Sequence, residues 1–396
     1  MNQPGDTIVR VEQAPDWYEL TWTDGYTGRY PFVWLRDNCR CHACYHASSK
    51  ERSSLLSNLD VDVQPTNEAL TNGGQTLKVS WPDGCTSDFP ANWLYRMRFE
   101  KTKFDPVKEL VPKPWGAEML QNIPRFDYDK VMEDPKVFKD WLTTLVVTGL
   151  ALIQGAPKET GVIEQIGKHV GHLRTTMYGH TFQVEAIASS SNLAYTTKAL
   201  GLHVDLPMYE YPPSVQMLHC IKQVETIGGE SQYADAMKVA NDLKLSDPDV
   251  YHTLTTLKVD FRLRGVDFIP YHYQFAKPVI LLDERGEFKY LSFNNGVRAP
   301  YINCPVEDVK QFYRSLKLFE NKIVSKENMI EIKLREGDVV AFNNNRVMHG
   351  RSSFRMVQNE EDGKKTRHLE GGYLNWDAIY SRIRLLEEEI NGMVVL

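Results

Sequence analysis

Residues His203-Val204-Asp205, with His349 lying 144 positions beyond Asp205 (349 − 205), constrain this chain more than any other feature. Two imidazoles and one carboxylate can occupy one face of an Fe(II) ion and leave the opposite face open. To act together they need a rigid scaffold that returns to the same place after a long excursion. The flanking sequence is that of a sheet. Gly201 and Pro207 bracket the first pair as at a strand end. Ahead of His349, Glu336-Gly337-Asp338 reads as a turn and Val339-Val340-Ala341-Phe342 as a buried strand. The two-residue pattern alone is weak. With 11 His in the chain, about one His-x-Asp pair arises by chance. His368-Leu369-Glu370 is a competing pair of the same kind.

Arg367 follows His349 by 18 positions (367 − 349). A guanidinium there can clamp the distal carboxylate of a dicarboxylic cosubstrate through two parallel hydrogen bonds. A metal triad followed by an arginine is the order expected of a 2-oxoglutarate-dependent oxygenase. His203, Asp205 and His349 are therefore the candidate iron ligands and catalytic centre, and Arg367 the candidate cosubstrate anchor.

With 396 residues the chain can bury a large core and form two domains. A hydrophobic content of 42% and a charged content of 25% are those of a soluble globular protein. A net charge of −6 argues against nucleic acid as a partner. No run of 18 apolar residues predicts a membrane span. Residues 1–19 carry acidic groups and no apolar stretch, so neither a secretory signal nor a transit peptide is expected there. The expectation is a cytoplasmic protein with reduced thiols. No internal repeat is legible.

The six cysteines then need a reading other than disulfides. Cys39, Cys41, Cys44 and Cys85 make a complete thiolate set for one structural zinc, with His42 and His46 as alternative fourth ligands. Cys220 and Cys304 stand in apolar surroundings and read as inert core residues. Around the cluster, Trp17 to Thr23 and Tyr30 to Leu35 read as a hairpin about Asp24-Gly25, and Thr76 to Trp81 with Thr86 to Phe89 as a second. This gives a zinc-binding β domain over 1–95. Residues 96–125, rich in Lys, Arg and Pro, read as a linker. An oxygenase domain spans 126–396, with helices opening at Asp134-Pro135 and closing the chain at Asp377 to Ile390. The fold class is mainly β with flanking helices, of jelly-roll type.

Longer segments carry a resemblance. Trp34-Leu35-Arg36-Asp37-Asn38-Cys39, Tyr178-Gly179-His180-Thr181-Phe182-Gln183-Val184, Asn192-Leu193-Ala194-Tyr195-Thr196-Thr197, Leu218-His219-Cys220-Ile221-Lys222-Gln223, Phe293-Asn294-Asn295 and the stretch from Arg367 to Trp376 resemble the γ-butyrobetaine dioxygenase family. The resemblance runs from about residue 17 to residue 390, and trimethyllysine dioxygenase is its nearest relative. It implies a double-stranded β-helix core, an N-terminal zinc domain and a homodimer. It also implies hydroxylation of γ-butyrobetaine at C3 to L-carnitine, with Fe(II), 2-oxoglutarate and ascorbate as reductant. By matching positions, Leu218 and Ser231 line the cosubstrate pocket. Tyr178, Phe182, Tyr195 and Tyr373 form an aromatic cage for a quaternary ammonium, and Asn192 and Asn295 hold the substrate carboxylate.

A quaternary ammonium has no N–H, so ring faces rather than hydrogen bonds must recognise it. Three positions depart from the family pattern. Cys85 stands where His is expected, Phe182 where Trp is common, and Leu206 where Tyr is expected. Two competing functions remain at this level: a trimethyllysine hydroxylase, and a non-enzymatic cupin-like binding protein with a zinc interaction module.

Overall fold

The computed structural model describes residues 5–99, 104–185, 198–223, 226–356 and 367–391. It divides into two compact units, one ending at Phe104 and one starting at Asp105.

In the first unit, Ile8–Gln13, Trp17–Trp22 and Thr27–Pro31 form one antiparallel sheet, and Asn67–Thr71, Thr76–Ser80 and Thr86–Pro90 form another. Each third strand runs into a short helix, Phe32–Asp37 or Ala91–Arg96. The return strand expected over Tyr30 to Leu35 is therefore cut short at Pro31. That residue has no N–H to give a ladder and fits the non-helical position just before a helix.

An internal repeat, not legible from the sequence alone, emerges from these elements. The halves are offset by 59 positions (17 to 76, 27 to 86, 32 to 91). Trp22, Asp24, Gly25, Thr27, Pro31, Trp34 and Leu35 recur as Trp81, Asp83, Gly84, Thr86, Pro90, Trp93 and Leu94. The equivalent rings Trp34 and Trp93 stack on each other, with centroids 5.4 Å apart and planes 21° apart. Tyr18, Leu20 and Tyr30 from one half meet Leu77, Val79 and Phe89 from the other in a single core. The repeat is hard to see in sequence because several core positions change residue type: Tyr18, Leu20 and Tyr30 are matched by Leu77, Val79 and Phe89.

The second unit is built on two β-sheets. A six-stranded sheet runs in the order Thr181–Glu185, His368–Leu374, Val215–Lys222, Val339–Asn343, Leu150–Gln154, Arg125–Asp127. A four-stranded sheet runs Leu200–His203, Val347–Arg351, Ser231–Asp235, Met329–Ile332. This is the double-stranded β-helix expected from the sequence. Leu150 and Leu152 share a cluster with Tyr233, Ile330 and Val347 of the smaller sheet. Ala151 and Ile153 face the other way, toward the helices Pro135–Val147, Val162–Val170 and Trp376–Asn391. Period-two alternation with both faces buried explains why these strands read as continuous apolar runs.

Residues 105–125 are not a free connection. Trp115, Met119 and Ile123 are buried in one cluster with Leu150, Leu152 and Tyr233 of the larger unit, so the linker reading gives way for this stretch. Their spacing is apolar, but the four nearby prolines hide it. No helix among the described residues is long and apolar enough to cross a membrane.

Candidate metal centre and cosubstrate pocket

Strands Leu200–His203 and Val347–Arg351 are antiparallel neighbours, and His203 is the cross-strand partner of His349. Their ring centroids lie 4.2 Å apart. Asp205 follows two residues after His203, and its Oδ1 lies 3.3 Å from His203 Nε2 and 3.8 Å from His349 Nε2. One ligand atom from each residue falls within 4.8 Å of the others.

The donor set fits a divalent cation. His203 Nδ1 lies 2.9 Å from the Gly201 carbonyl, which can only accept, so Nδ1 carries the proton and Nε2 presents its lone pair to the cluster. Burial and the neighbouring His203 push His349 down to about 3, so it is a neutral ligand at physiological pH. Burial lowers His203 too, but without a metal the Asp205 carboxylate favours a proton on Nε2 and raises it; a bound cation would take that proton's place. Burial pushes the Asp205 carboxyl up, and the two imidazoles with the Tyr373 hydroxyl more than reverse this, holding it well below the usual range.

The backbone around Asp205 is held from the turn between the strands Val339–Asn343 and Val347–Arg351. Asn344 is fully buried; its Oδ1 accepts from Asp205 N at 2.7 Å and its Nδ2 donates to Asp205 O at 3.0 Å and Pro213 O at 3.0 Å. Immediately after Asp205, Leu206 sits at φ 57°, a conformation that is strained for a side chain of this size. Two residues after Asn344, Arg346 makes a buried two-point pair with Asp235, at 2.9 Å and 2.7 Å, anchoring the start of the His349 strand.

His349 and Arg351 are two apart on one strand, so both side chains leave the same face about 7 Å from each other. Arg351 faces Ser231 across the sheet, and Ser231 Oγ accepts from Arg367 at 3.4 Å. Arg367 is buried, yet its only hydrogen bond to a described residue is that one, and its Nε is unsatisfied. Burial lowers its pKa, and the Arg351 guanidinium beside it is pushed down to about 10 by burial and by Arg367. A buried guanidinium without an anion is costly unless an anionic ligand completes it. Leu218, half-buried on the neighbouring central strand, stands opposite Gly371.

Three of the expected cage rings come together. Phe182 lies 5.7 Å from Tyr178 and 5.4 Å from Tyr373. Phe182 pairs with Gly371 across the strands, and a Cβ on Gly371 would lie 2.3 Å from the ring. Only glycine lets the ring lie flat there. Asn192 and Tyr195 lie outside the described residues. Asn295 is exposed, and its carboxamide oxygen accepts from Arg298 at 3.3 Å. Sequence reasoning missed Asn344, Arg346 and Arg351. Their signal was three consecutive asparagines and two arginines inside an otherwise buried stretch.

In the first unit, Cys39, Cys41 and Cys44 form a second cluster able to hold a metal. Cys85 Sγ lies 3.7 Å from Cys44 and 4.0 Å from Cys41, close to the edge of about 3.8 Å of a ZnS₄ tetrahedron with 2.3 Å bonds. His42 and His46 are exposed, and His46 Nδ1 is engaged by Ser49. Arg36 donates to Cys44 Sγ at 3.4 Å and Cys85 Sγ at 3.6 Å and pairs with Asp83. Burial pushes the Cys41 thiol up, but hydrogen bonds from its neighbours, Ala43 N–H first, bring it down to about 7.

A jelly-roll carrying two histidines, one carboxylate and a buried arginine at one end defines a non-haem iron oxygenase architecture. Residues 106–373 match the family described as Taurine catabolism dioxygenase TauD, TfdA family, and the chain belongs to it. Residues 9–95 match the family described as Gamma-butyrobetaine hydroxylase-like, N-terminal. The chain is 37% identical to gamma-butyrobetaine dioxygenase of Homo sapiens, over 94% of this chain and 95% of that protein. It is 29% identical to gamma-butyrobetaine dioxygenase of Pseudomonas sp. (strain AK-1), covering 93% of each. Against mitochondrial trimethyllysine dioxygenase of Bos taurus the identity is 27%, over 95% of this chain and 86% of that one.

Proposed function

We propose that this protein is an Fe(II)- and 2-oxoglutarate-dependent dioxygenase that hydroxylates γ-butyrobetaine at C3. The products are L-carnitine, succinate and CO₂. The observation that carries the reading is Arg367, a buried cation lacking a carboxylate partner among the described residues and bonded to Ser231, whose cross-strand partner Arg351 lies two residues from His349. A dicarboxylate that reaches the metal with one end and Arg367 with the other satisfies both. The likeness to γ-butyrobetaine dioxygenases over nearly the whole chain supports the substrate.

When bound, iron and 2-oxoglutarate supply an O₂-derived oxidant able to replace an aliphatic C–H by C–OH. The chain's own work is positioning. Arg367 and Ser231 hold the cosubstrate carboxylate, with Leu218 against its methylenes. Tyr178, Phe182 and Tyr373, with Tyr195, present ring faces to the trimethylammonium group, each contact contributing up to about 2 kcal/mol once desolvated. Asn192 and Asn295 take the substrate carboxylate, so a short zwitterion is held at both ends and one methylene faces the metal. Cys39, Cys41, Cys44 and Cys85 hold a structural zinc.

Six cysteines without a disulfide suit a reducing compartment such as the cytoplasm, and the working unit in this reading is a homodimer. The test is succinate formation by purified protein with Fe(II) and ascorbate, comparing γ-butyrobetaine with trimethyllysine. Faster turnover of trimethyllysine reassigns the substrate and keeps the oxygenase; turnover of neither sinks both.

A further inference from the structure

The two oxygens of Asp205 have different partners. Oδ1 faces His203 Nε2 at 3.3 Å and His349 Nε2 at 3.8 Å. Oδ2 accepts from the Tyr373 hydroxyl at 2.7 Å. The same Tyr373 contributes its ring to the aromatic surface, 5.4 Å from Phe182. Tyr373 is buried on the strand His368–Leu374, every residue of which is buried. Its ring and its hydroxyl therefore cannot move independently.

We propose that Tyr373 is a positioning residue that restricts Asp205 to one-oxygen ligation and so links the cation-binding rings to the metal centre. The proposal rests on the triad being a metal site. A carboxylate can ligate a cation through one oxygen or through both. If Asp205 used both, it would fill an additional coordination position and leave one fewer for cosubstrate and O₂. A facial triad works because three protein atoms leave the remaining positions open. A donor already on Oδ2 opposes the two-oxygen mode, because rotating the carboxylate would break a charge-assisted hydrogen bond at a half-buried group. Asn344 fixes the Asp205 backbone on both sides, so the carboxylate cannot recover that bond by shifting its main chain. A headgroup seated against the Tyr373 ring presses on the same side chain that sets the ligand mode.

The test separates ring from hydroxyl. Tyr373→Phe keeps the ring and removes the donor; Phe182→Leu removes a ring and leaves Asp205 untouched; Tyr373→Leu removes both. Co(II) and Mn(II) affinity is measured calorimetrically, the Co(II) visible spectrum is recorded, and the γ-butyrobetaine KM and kcat are measured with Fe(II). In Tyr373→Phe, metal binding is expected to weaken about tenfold or more. Its Co(II) spectrum should move toward higher coordination, while the γ-butyrobetaine KM changes little. Phe182→Leu should do the reverse, and Tyr373→Leu should show both defects. Thermal midpoints of the metal-free proteins check that each variant is folded. Wild-type affinity and an unchanged Co(II) spectrum in Tyr373→Phe overturn the proposal while the metal site stands. A wild-type protein that binds neither metal overturns both.

Discussion

Asn344 grips Asp205 by its backbone alone: the carboxamide accepts from Asp205 N at 2.7 Å and donates to Asp205 O at 3.0 Å, 139 positions away in sequence. The metal carboxylate is thereby placed by a residue that offers no ligand atom. Asn344→Ala should lower unfolding free energy by about 1–3 kcal/mol, because it strands buried backbone groups. Asn344→Asp should cost more, since it sets a carboxylate against the Asp205 and Pro213 carbonyls. Urea unfolding of the metal-free protein checks the order; Asp tolerated better than Ala would contradict it.

Arg367 predicts opposite effects with and without cosubstrate. Arg367→Met removes a buried, uncompensated charge, so the ligand-free protein should gain about 1–3 kcal/mol in stability. The same variant should lose most of the stabilisation that 2-oxoglutarate gives wild type, about 2.7 kcal/mol at a hundredfold excess over Kd. Thermal melts with Mn(II), with and without 2-oxoglutarate, read both. Equal ligand-induced shifts in the two proteins would assign the anchor to another cation, Arg351 first.

The floor under Phe182 gives a paired prediction. Phe182→Trp offers a stronger quadrupole and should hold or improve γ-butyrobetaine affinity. Gly371→Ala would push a methyl into the ring and should weaken affinity by about 1–2 kcal/mol, roughly five- to thirtyfold. Competition binding to the Mn(II) protein decides it, and an unaffected Gly371→Ala would remove Phe182 from the cage.

Lys277 sets a pH dependence away from the metal. It is buried, donating to Tyr209 O at 2.6 Å, and burial pushes it down to about 8 from 10.5 against the weaker opposing pull of Glu210. Below pH 8 the lysine is charged in both folded and unfolded chains, and its burial costs on the order of 3 kcal/mol. Between about 8 and 10.5 the unfolded chain binds the extra proton, so this cost fades and stability rises with pH. The stability of wild type relative to Lys277→Met should therefore increase from pH 7 to pH 10. Parallel pH profiles would show that Lys277 titrates normally.

For the zinc corner, elemental analysis should give about one zinc per chain, and Cys85→His should keep it where Cys85→Ala does not. Zinc retained by Cys85→Ala would place the fourth ligand elsewhere.

The parts of this protein legible in sequence were those with short-range signals. His203 and Asp205 are two positions apart, the Val339 to Phe342 strand announces itself by its apolar run, and Asp134-Pro135 caps its helix as written, with the carboxylate accepting from Lys136 N. What escaped depends on partners far apart in the chain. Nothing near Asn344 says that it will face Asp205, and nothing near Tyr373 says that its hydroxyl will reach Oδ2. Trp115 hid among prolines because its core neighbours come from strands more than thirty residues away. Asn295 was placed by resemblance alone, and its observed partner, Arg298, is three residues along.

The repeated half-units fasten the same corner in two different ways. In one, the Asp83-Gly84-Cys85 turn meets Arg36 and a thiolate cluster. In the other, the equivalent Asp24-Gly25-Tyr26 turn is closed without any metal ligand. Tyr95 donates to Asp24 at 2.6 Å, and Arg98 lies over the Tyr26 and Tyr95 rings at 4.8 Å and 3.9 Å. Arg98 stands where the first half has Cys39. With zinc on the thiolates, as proposed, the fold sets a metal-free latch beside a metal-dependent one. An oxidant or a chelator would then act on one latch and leave its twin shut, loosening half of the module rather than dissolving it.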